Sequence, residues 1–474
     1  MRYRLFIGLV CIVSTGFSQE KWSLQRCVDY ALSNNISVKQ ADVQARLTRL
    51  TANQVRGTLY PTLGGSSSGS YRRGLNENPT TGTFESADFF SGSLGVQSGY
   101  TIFNWGARKN NIAATELSAK ADEVGVDRVK NDVSLAVANA FLQIMLRREQ
   151  VRISEVQVNQ SKEQLQITRK LVDAGSQPEL NAIQIEAQLA RDSSALLQAQ
   201  ALVEQGIINL KAFLNFDLST FFDIEAPAVE MIPVQSIADL QPEIVYEQAL
   251  REQPLQKMTA IRIEASKYNV KAARGAMYPT LSAFGALNTS FINRKFPYFI
   301  GFAPDQPTGA FVMDATGNKI NVLAPRQQFG ERSVGLFTQM KNNFGQSLGL
   351  NINFPIFNAW NTKTQWERSK LSVTQAQLQD DQERLNLRSN IYNAYQDAFS
   401  SLQKYNASSR NVEASQKALD FSKKRYDIGL LGTIDFITTQ NNLFRARIEE
   451  VSNHYDFVFK MKVLEFYKGQ GIKL

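Results

Sequence analysis

Apolar residues along the chain change their period at well-defined points. Over residues 22–59 they recur at helical spacing among polar residues. Over 94–102, and again over 348–356, they alternate with small or polar residues, which predicts strands. Helical runs follow at 106–173 and 361–427, and at roughly 1.5 Å per residue each would be about 100 Å long. The pattern therefore predicts strands between helices, and two of these helices are longer than a globular core requires.

This pattern is written twice. RGTLYPTL at 56–63 returns as RGAMYPTL at 274–281, 218 positions later. IFN at 102–104 returns at 356–358, 254 positions later, so 36 additional residues lie in the second copy between positions 282 and 346. Repetition of this extent predicts an internal tandem duplication.

The repeat defines the predicted domains. The first repeat covers residues 19–213 and the second 243–474, and residues 214–242 form a linker with some structure of its own. Shorter helical runs return at about 179–213 and 432–468. In the first of them the apolar residues recur every seven positions, as in a coiled-coil seam: Leu189, Leu196, Val203 and Leu210. In each copy the first helical run and the returning run together are about as long as the long run. This favours two short helices stacked end to end beside one long helix.

A tyrosine-proline pair marks the end of the first helical run in each copy. The pairs are Tyr60-Pro61 and Tyr278-Pro279. Proline has no amide hydrogen and biases the preceding residue away from helical dihedrals. We predict that a helix ends and strands begin at both pairs.

Each copy offers one two-stranded hairpin. Four strands cannot close a barrel, and an open sheet with two bare edges is unstable in lipid. Three chains would supply twelve strands, enough for a barrel with a lumen. Tyr60 and Tyr278 would then lie at the membrane interface, where such rings are enriched; the alternative is that each tyrosine only packs at a helix end.

The N-terminus resembles a cleaved secretory signal. Residues 1–18 contain two arginines, an apolar run and small residues at the expected cleavage site, which makes Gln19 the first mature residue. Cys27 would then be the single mature cysteine, so no intramolecular disulfide is expected. Beyond the signal no apolar stretch of about 18 residues remains for a membrane-spanning helix. The 52 lysines and arginines exceed the 44 acidic residues by little and are scattered, which does not favour a nucleic-acid partner.

Catalytic and metal-binding constellations are missing from the sequence. GSSSG at 65–69 fits a nucleophile pattern formally, but that pattern needs a strand-turn-helix setting and a histidine, and His454 is the single histidine. One histidine and one mature cysteine do not make a usual zinc site. No phosphate-binding loop appears. We predict no catalytic, cofactor or metal residues, and expect His454 to face solvent or a neighbouring helix.

The duplicated order of helix, YPTL junction, hairpin, FN-containing turn, long helix, tip glycine and returning helix resembles the TolC family of outer-membrane efflux proteins. The resemblance covers nearly the whole mature chain. It implies a mixed α and β fold: a homotrimeric, twelve-stranded outer-membrane β-barrel continued by a long α-helical coiled-coil tunnel through the periplasm of a Gram-negative bacterium. Tyr60, Pro61, Tyr278 and Pro279 become barrel-helix junctions. The implied partners are two further copies of the chain, outer-membrane lipid, a periplasmic adaptor protein and an inner-membrane pump.

The turns after the long helices contain Gly175 and Gly429, which suit a left-handed helix cap. The resemblance implies that these tips contact the adaptor. The residues that it assigns to this contact are Ala174, Gly175 and Ser176 in the first copy and Ile428, Gly429 and Leu430 in the second.

The resemblance also implies an entrance gate beside the second tip. Tyr426 and Asp435 match the family's pattern, and three copies of Asp435 would form an acidic ring that favours cations. Leu431 and Thr438 stand where charged residues are expected, and Asn181 takes the acidic position of the first copy. A hydrogen-bonded closure is therefore expected in place of ion pairs. Asp435 alternatively serves only as a negative residue in the first turn of a helix.

We therefore predict a passive efflux duct without enzymatic activity that exports small molecules such as drugs. Within the same reading the chain could instead be the exit duct of type I protein secretion. Two rivals belong to other classes: a secreted coiled-coil structural protein, which does not need the strands, and an envelope enzyme, which lacks its catalytic residues. The additional residues between 282 and 346 are expected to form an extracellular loop that packs at the barrel mouth.

Overall fold

The computed structural model describes residues 21–77, 83–225 and 229–469. The predicted signal peptide, 1–18, and the position Gln19 lie outside these ranges. The chain divides into two compact units: a helical unit from the described parts of 1–52, 114–267 and 371–474, and a sheet unit from those of 53–113 and 268–370. Among the described residues, no helix has the length and apolarity required to cross a membrane.

The described part of the first half forms four helices and two strands. In order these are α1 (Leu24–Asn34), α2 (Ile36–Gly57), β1 (Thr62–Glu77), β2 (Phe84–Phe103), α3 (Ala107–Asp173) and α4 (Glu179–Leu214). The connection to the second half carries 3-10 turns at Val229–Met231 and Ile237–Leu240.

The second half repeats this order with an addition inside the sheet unit. Its elements are α5 (Pro242–Glu252), α6 (Pro254–Gly275), β3 (Thr280–Ile292), β4 (Lys295–Met313), β5 (Lys319–Ser333), α7 (Leu336–Asn342), β6 (Gly345–Asn353), α8 (Asn361–Asp427) and α9 (Thr433–Tyr467). The two long helices predicted at 106–173 and 361–427 are thus confirmed to within one residue.

The prediction of one uninterrupted helix over 22–59 was wrong, because the chain breaks at Asn35. Asn35 is extended, at φ −59° and ψ 135°, and its side-chain amide donates a 2.7 Å hydrogen bond to the carbonyl of Phe213 in the last turn of α4. Gln253 breaks the corresponding run in the second half and donates to the carbonyls of Phe466 and Tyr467 at the end of α9, both at 3.2 Å. Each break therefore satisfies carbonyls that a helix end leaves without a partner.

The helical unit has a continuous apolar core beside the end of α4. Cys27 and Ala31 of α1 pack there with Phe141 of α3 and Leu214 of α4, and all four are buried. A second cluster joins α5, α8 and α9 through Val245, Leu387, Ile391, Met461 and Leu464. Each half therefore anchors its first short helix against its own long and returning helices.

The segment between the halves packs onto this core. Trp22 forms a parallel bridge with Ile224, and its ring lies within 5.6 Å of Tyr30, Phe216 and Phe222. Arg148 of α3 donates to the Ile224 carbonyl at 2.9 Å. The described part of the predicted linker therefore packs onto the helical unit.

In the described part of the sheet unit, four strands form an antiparallel sheet in the order β1-β2-β3-β6. Thr62 pairs with Gly99 and Glu77 with Phe84 across β1 and β2, and Thr280 pairs with Asn353 across β3 and β6. GSSSG at 65–69 lies entirely within β1, so it has no strand-turn-helix setting. The strand predicted over 348–356 ends at Asn353, since Pro355 has no amide hydrogen for the ladder.

The additional residues of the second half are not an irregular loop. β4 and β5 form a separate antiparallel hairpin, and α7 follows it. Gly317, at φ +84°, closes the turn between the two strands, and Asp314 accepts the backbone amides of Thr316 and Asn318 at 2.9 and 2.8 Å. Their extracellular location stays a prediction.

Candidate docking turns and entrance residues

The turns after α3 and α8 end their helices in the same way. Gly175 and Gly429 have left-handed backbones, with φ of +72° and +76°. In the first turn Ser176 N–H donates to Leu171 and Gly175 N–H to Val172, both at 2.8 Å. In the second, Leu430 N–H donates to Arg425 at 2.8 Å and Gly429 N–H to Tyr426 at 2.9 Å. This pair of bonds is the Schellman motif, so the predicted glycine caps are confirmed.

Both turns present their residues to solvent. The three residues of the first turn, Ala174, Gly175 and Ser176, are exposed, and the space beside either glycine is open. In the second turn Ile428 and Leu430 are 69% and 66% exposed. Exposed branched apolar side chains on a rigid turn suit a contact with another protein, whereas the first turn offers small and polar groups.

Tyr426 and Asp435 do not meet in the chain. Tyr426 is 3% exposed; its ring stacks on Phe436 at 4.7 Å, and its hydroxyl lies 3.5 Å from that of Thr433. Asp435 is exposed in the first turn of α9, and its carboxylate has no hydrogen bond or ion pair to any residue that the structure describes. The tyrosine thus packs against the start of α9, and the Asp435 carboxylate lies at the surface of the chain.

The other predicted entrance residues have local partners. Thr438 is exposed and its hydroxyl donates to the Ile434 carbonyl at 2.8 Å. Leu431 is half-buried. Asn181, in the first turn of α4, donates to the side-chain oxygen of Gln177 at 3.4 Å. None of these contacts joins the first tip to the second.

A buried polar network that the sequence did not reveal joins the two returning helices, α4 and α9. Asp192 of α4 is buried and accepts hydrogen bonds from Ser161 of α3 at 2.5 Å and from Gln188 at 2.8 Å. Gln188 and Asn441 of α9 exchange amide hydrogen bonds at 2.9 and 3.3 Å. Apolar packing of Leu165, Ile185 and Ile437 completes the contact. The one sequence signal for this network was Asp192, a polar residue on the apolar stripe of α4. Its partner Ser161 could not be predicted, because it lies 31 residues away on another helix.

The tyrosine junctions lie in the sheet unit. Tyr60 is exposed, and Tyr278 packs its ring 5.1 Å from that of Trp105. Arg108 donates to the carbonyls of Thr58 and Thr101 at 3.2 and 2.8 Å. The arginine thereby joins the end of a helix to the end of β2. The proposed location of the tyrosines at a membrane surface stays a prediction.

The fold of long helices with a small antiparallel sheet is similar to that of solved outer-membrane channels. The solved structure of CusC, whose description concerns transmembrane channel formation, is similar with a TM-score of 0.74 at 18% identity, over 94% of this chain and 92% of that one. At this identity the likeness concerns the fold.

The chain belongs to the outer membrane efflux protein family, whose sequence profile matches residues 27–215 and 245–458. Among curated relatives it is 21% identical to the outer membrane efflux protein BepC of Brucella suis, over 94% of this chain and 85% of BepC. It is 22% identical to the pyoverdine export outer membrane protein OpmQ of Pseudomonas aeruginosa, over 90% of this chain and 80% of OpmQ.

The resemblance to the TolC family is thereby confirmed. The protein is an efflux channel component in the outer membrane of a Gram-negative bacterium. The alternative of a secreted coiled-coil structural protein was wrong.

Proposed function

We propose that three copies of this chain form one passive export duct, each copy an internal tandem duplication that contributes four strands to a twelve-stranded barrel. The observation that carries the proposal is the open sheet. Within the described residues β1 pairs with β2 alone and β6 with β3 alone. Unpaired edge groups cost several kcal/mol each in lipid, so the edges need partners from other copies.

The faces of β6 support a position in lipid. Leu348, Leu350 and Ile352 lie on one face and are exposed, Leu348 by 89%. Gly349, Asn351 and Asn353 lie on the other face. Alternation of an apolar and a polar face is expected for strands between lipid and a lumen.

Mass measurement of the detergent-solubilised protein tests the assembly. We expect a homotrimer that retains β-strand signal in circular dichroism. A monodisperse monomer with intact strands would contradict the barrel.

The tips are proposed to dock on a periplasmic adaptor that links the duct to an inner-membrane pump. Ala174, Gly175 and Ser176 would supply one contact, and Ile428, Gly429 and Leu430 the other. We expect Gly429→Trp to block export while trimers still assemble, because it adds bulk at an exposed turn. Gly317→Trp is the matched control, since Gly317 also has a left-handed backbone and open space beside it but lies on the β4–β5 turn. Normal export by Gly429→Trp would contradict the proposal that this turn docks on the adaptor.

Asp435 is proposed to form an acidic ring at the entrance, with Tyr426 holding the start of α9. Replacement of Asp435 by Asn removes three charges per trimer, so cation selectivity in a lipid bilayer and block by trivalent cations should both weaken. Asp427→Asn, also exposed beside the same tip, is the control. Equal cation selectivity of the two variants would mean that Asp435 only stabilises the end of its helix.

We infer that the cargo consists of small organic molecules and that the chain itself catalyses no reaction. OpmQ, a relative over most of the chain, is named for pyoverdine export. Energy would come from the inner-membrane pump. Deletion of the protein should raise sensitivity to small toxic compounds; loss of a secreted protein with unchanged sensitivity would favour type I secretion instead.

A further inference from the structure

The helical unit contains a cavity of 590 Å³ that none of the proposed docking or entrance residues lines. Its walls come from α3, the 3-10 turn at Val229–Met231, α8 and α9. This volume lies within the range of small-molecule sites, roughly 300–1,000 Å³. The cavity therefore has the size of a binding site.

The charges around this cavity are not balanced. Arg148 is paired with Asp223, and Arg152 is paired with Glu149. Glu230 and Glu450 also line the cavity, and neither carboxylate has an ion pair or hydrogen bond to another described residue. Counted with Asp223, the groups around the cavity therefore carry two more negative charges than positive ones.

The polar groups of the aromatic side chains in the cavity also make no hydrogen bond to any residue that the structure describes. His454 stacks on Tyr405, with ring centres 4.3 Å apart and planes inclined by 18°. Tyr455 is only 7% exposed, and its hydroxyl makes no hydrogen bond within the described part of the chain. Burial, with the nearby charges of Glu149 and Glu230, raises the pKa of Tyr455 to about 12. Tyr455 is therefore a neutral phenol at physiological pH, and its hydroxyl is available to hydrogen-bond a molecule in the cavity.

A metal ion does not fit this arrangement. No three of the described histidine, cysteine, aspartate and glutamate side chains converge closely enough to hold one. The ligand has to span the cavity, bring positive charge and donate hydrogen bonds to several oxygen acceptors. A flat ring would also gain contact with the stacked aromatic pair.

We propose that this cavity binds a planar organic cation with N–H donors, its charge matched by Glu230 and Glu450 and its ring placed against Tyr405 and His454. The proposal concerns one chain and does not depend on assembly or docking. Binding would join the two long helices and α9 through a single ligand.

Fluorescence titration of the detergent-solubilised full chain with proflavine, against a detergent blank, tests the proposal. We expect saturable binding of one proflavine per chain. Glu230→Gln and Glu450→Gln should each weaken it about tenfold or more, the effect of losing one charge-assisted contact. Acridine, a similar ring system that is uncharged at pH 8, should bind at least about tenfold more weakly for the same reason.

Glu449→Gln is the matched control, because Glu449 is the exposed neighbour of Glu450 on α9 and does not line the cavity. Its affinity for proflavine should equal that of the unmodified chain. Asp435→Asn should also bind normally, which separates this site from the proposed entrance. Absence of binding, equal binding by Glu450→Gln, or equal affinity for acridine would each overturn the proposal.

Discussion

Gly175 and Gly429 cap their long helices with the same pair of hydrogen bonds, whereas the polar groups that follow them differ between the two halves of the chain. Asp192 binds Ser161 and Gln188 in the first half, and the position 254 residues later is the buried Ala446. A backbone cap needs only a glycine at the right place. A buried carboxylate needs several matched donors, so it does not carry over from one copy to the other.

The ends of the returning helices show the same contrast. Asn35 and Gln253 break their helices at corresponding positions, and each donates to the end of the returning helix in its own half, α4 or α9. Lys211 of α4 is buried and donates to the carbonyls of Leu218 and Thr220, whereas Glu465 stands at the corresponding position in α9. The two halves thus use the same kind of hydrogen bond for the carbonyls at their helix ends. The buried charged residues and their partners differ between the halves.

The largest effect is expected from the ion pair that only the second half contains. Lys462 and Glu465 are both buried, with 2.9 Å between Nζ and the carboxylate. Lys462→Met should lower the free energy of unfolding by about 3 kcal/mol, because it leaves a buried charge without its partner. Thermal unfolding in detergent measures this loss.

The double variant Lys462→Met with Glu465→Gln should recover most of this stability, since glutamine still accepts the Gln235 amide bond without a charge. Lys211→Met, in the first half, should cost only about 1–2 kcal/mol. A double variant as unstable as Lys462→Met would show that packing of the lysine, and not its charge, is what matters.

The next effect should come from the network of the first half. Asp192→Ala introduces the residue that the second half has, and it removes the acceptor of Ser161 and Gln188. We expect a loss of about 2 kcal/mol in the free energy of unfolding. Asp192→Asn, which keeps the shape and one acceptor oxygen, should lose less. Equal stability of Asp192→Ala and the unmodified chain would mean that the network contributes nothing to the contact between α4 and α9.

The tip glycines should respond alike. Gly175→Ala and Gly429→Ala each place a Cβ on a left-handed backbone and should each cost about 1–2 kcal/mol. Gly57→Ala, at the helical end of α2 and without a positive φ, is the control and should be neutral or stabilising. Melting temperatures of the three variants give the comparison, and clearly unequal losses at the two tips would break the equivalence of their caps.

The smallest effect concerns pH. Burial lowers the pKa of His454 below its usual 6.5, against the opposing charges of Glu230 and Glu450. The unfolded chain then binds the proton more readily, so stability is fully present above pH 6.5 and declines as the pH falls through the lowered pKa. His454→Gln places in α9 the residue found at the corresponding position 200 of α4. Its melting temperature should fall less between pH 7 and pH 5 than that of the unmodified chain. If this variant had the same pH profile as the unmodified chain, His454 would have the same pKa in the folded and unfolded states.

The helices, the tip caps and the alternating strands followed from local pattern. A period of 3.6 or 2, a proline after tyrosine, and a glycine at a helix end act on the residues beside them, so α3 and α8 could be predicted to within one residue. Gly175 and Gly429 could be assigned to caps for the same reason. The family's order of elements then indicated an export channel.

Tertiary structure alone decided which distant groups meet. Asn35 breaks a helix that the sequence pattern continues, because its amide reaches the Phe213 carbonyl 178 residues away. Asp192 finds its Ser161 donor on another helix, and the acceptors of the cavity come from four separate segments of the chain. Burial makes each of these polar groups depend on a specific partner, and no periodicity along the chain encodes where that partner will lie.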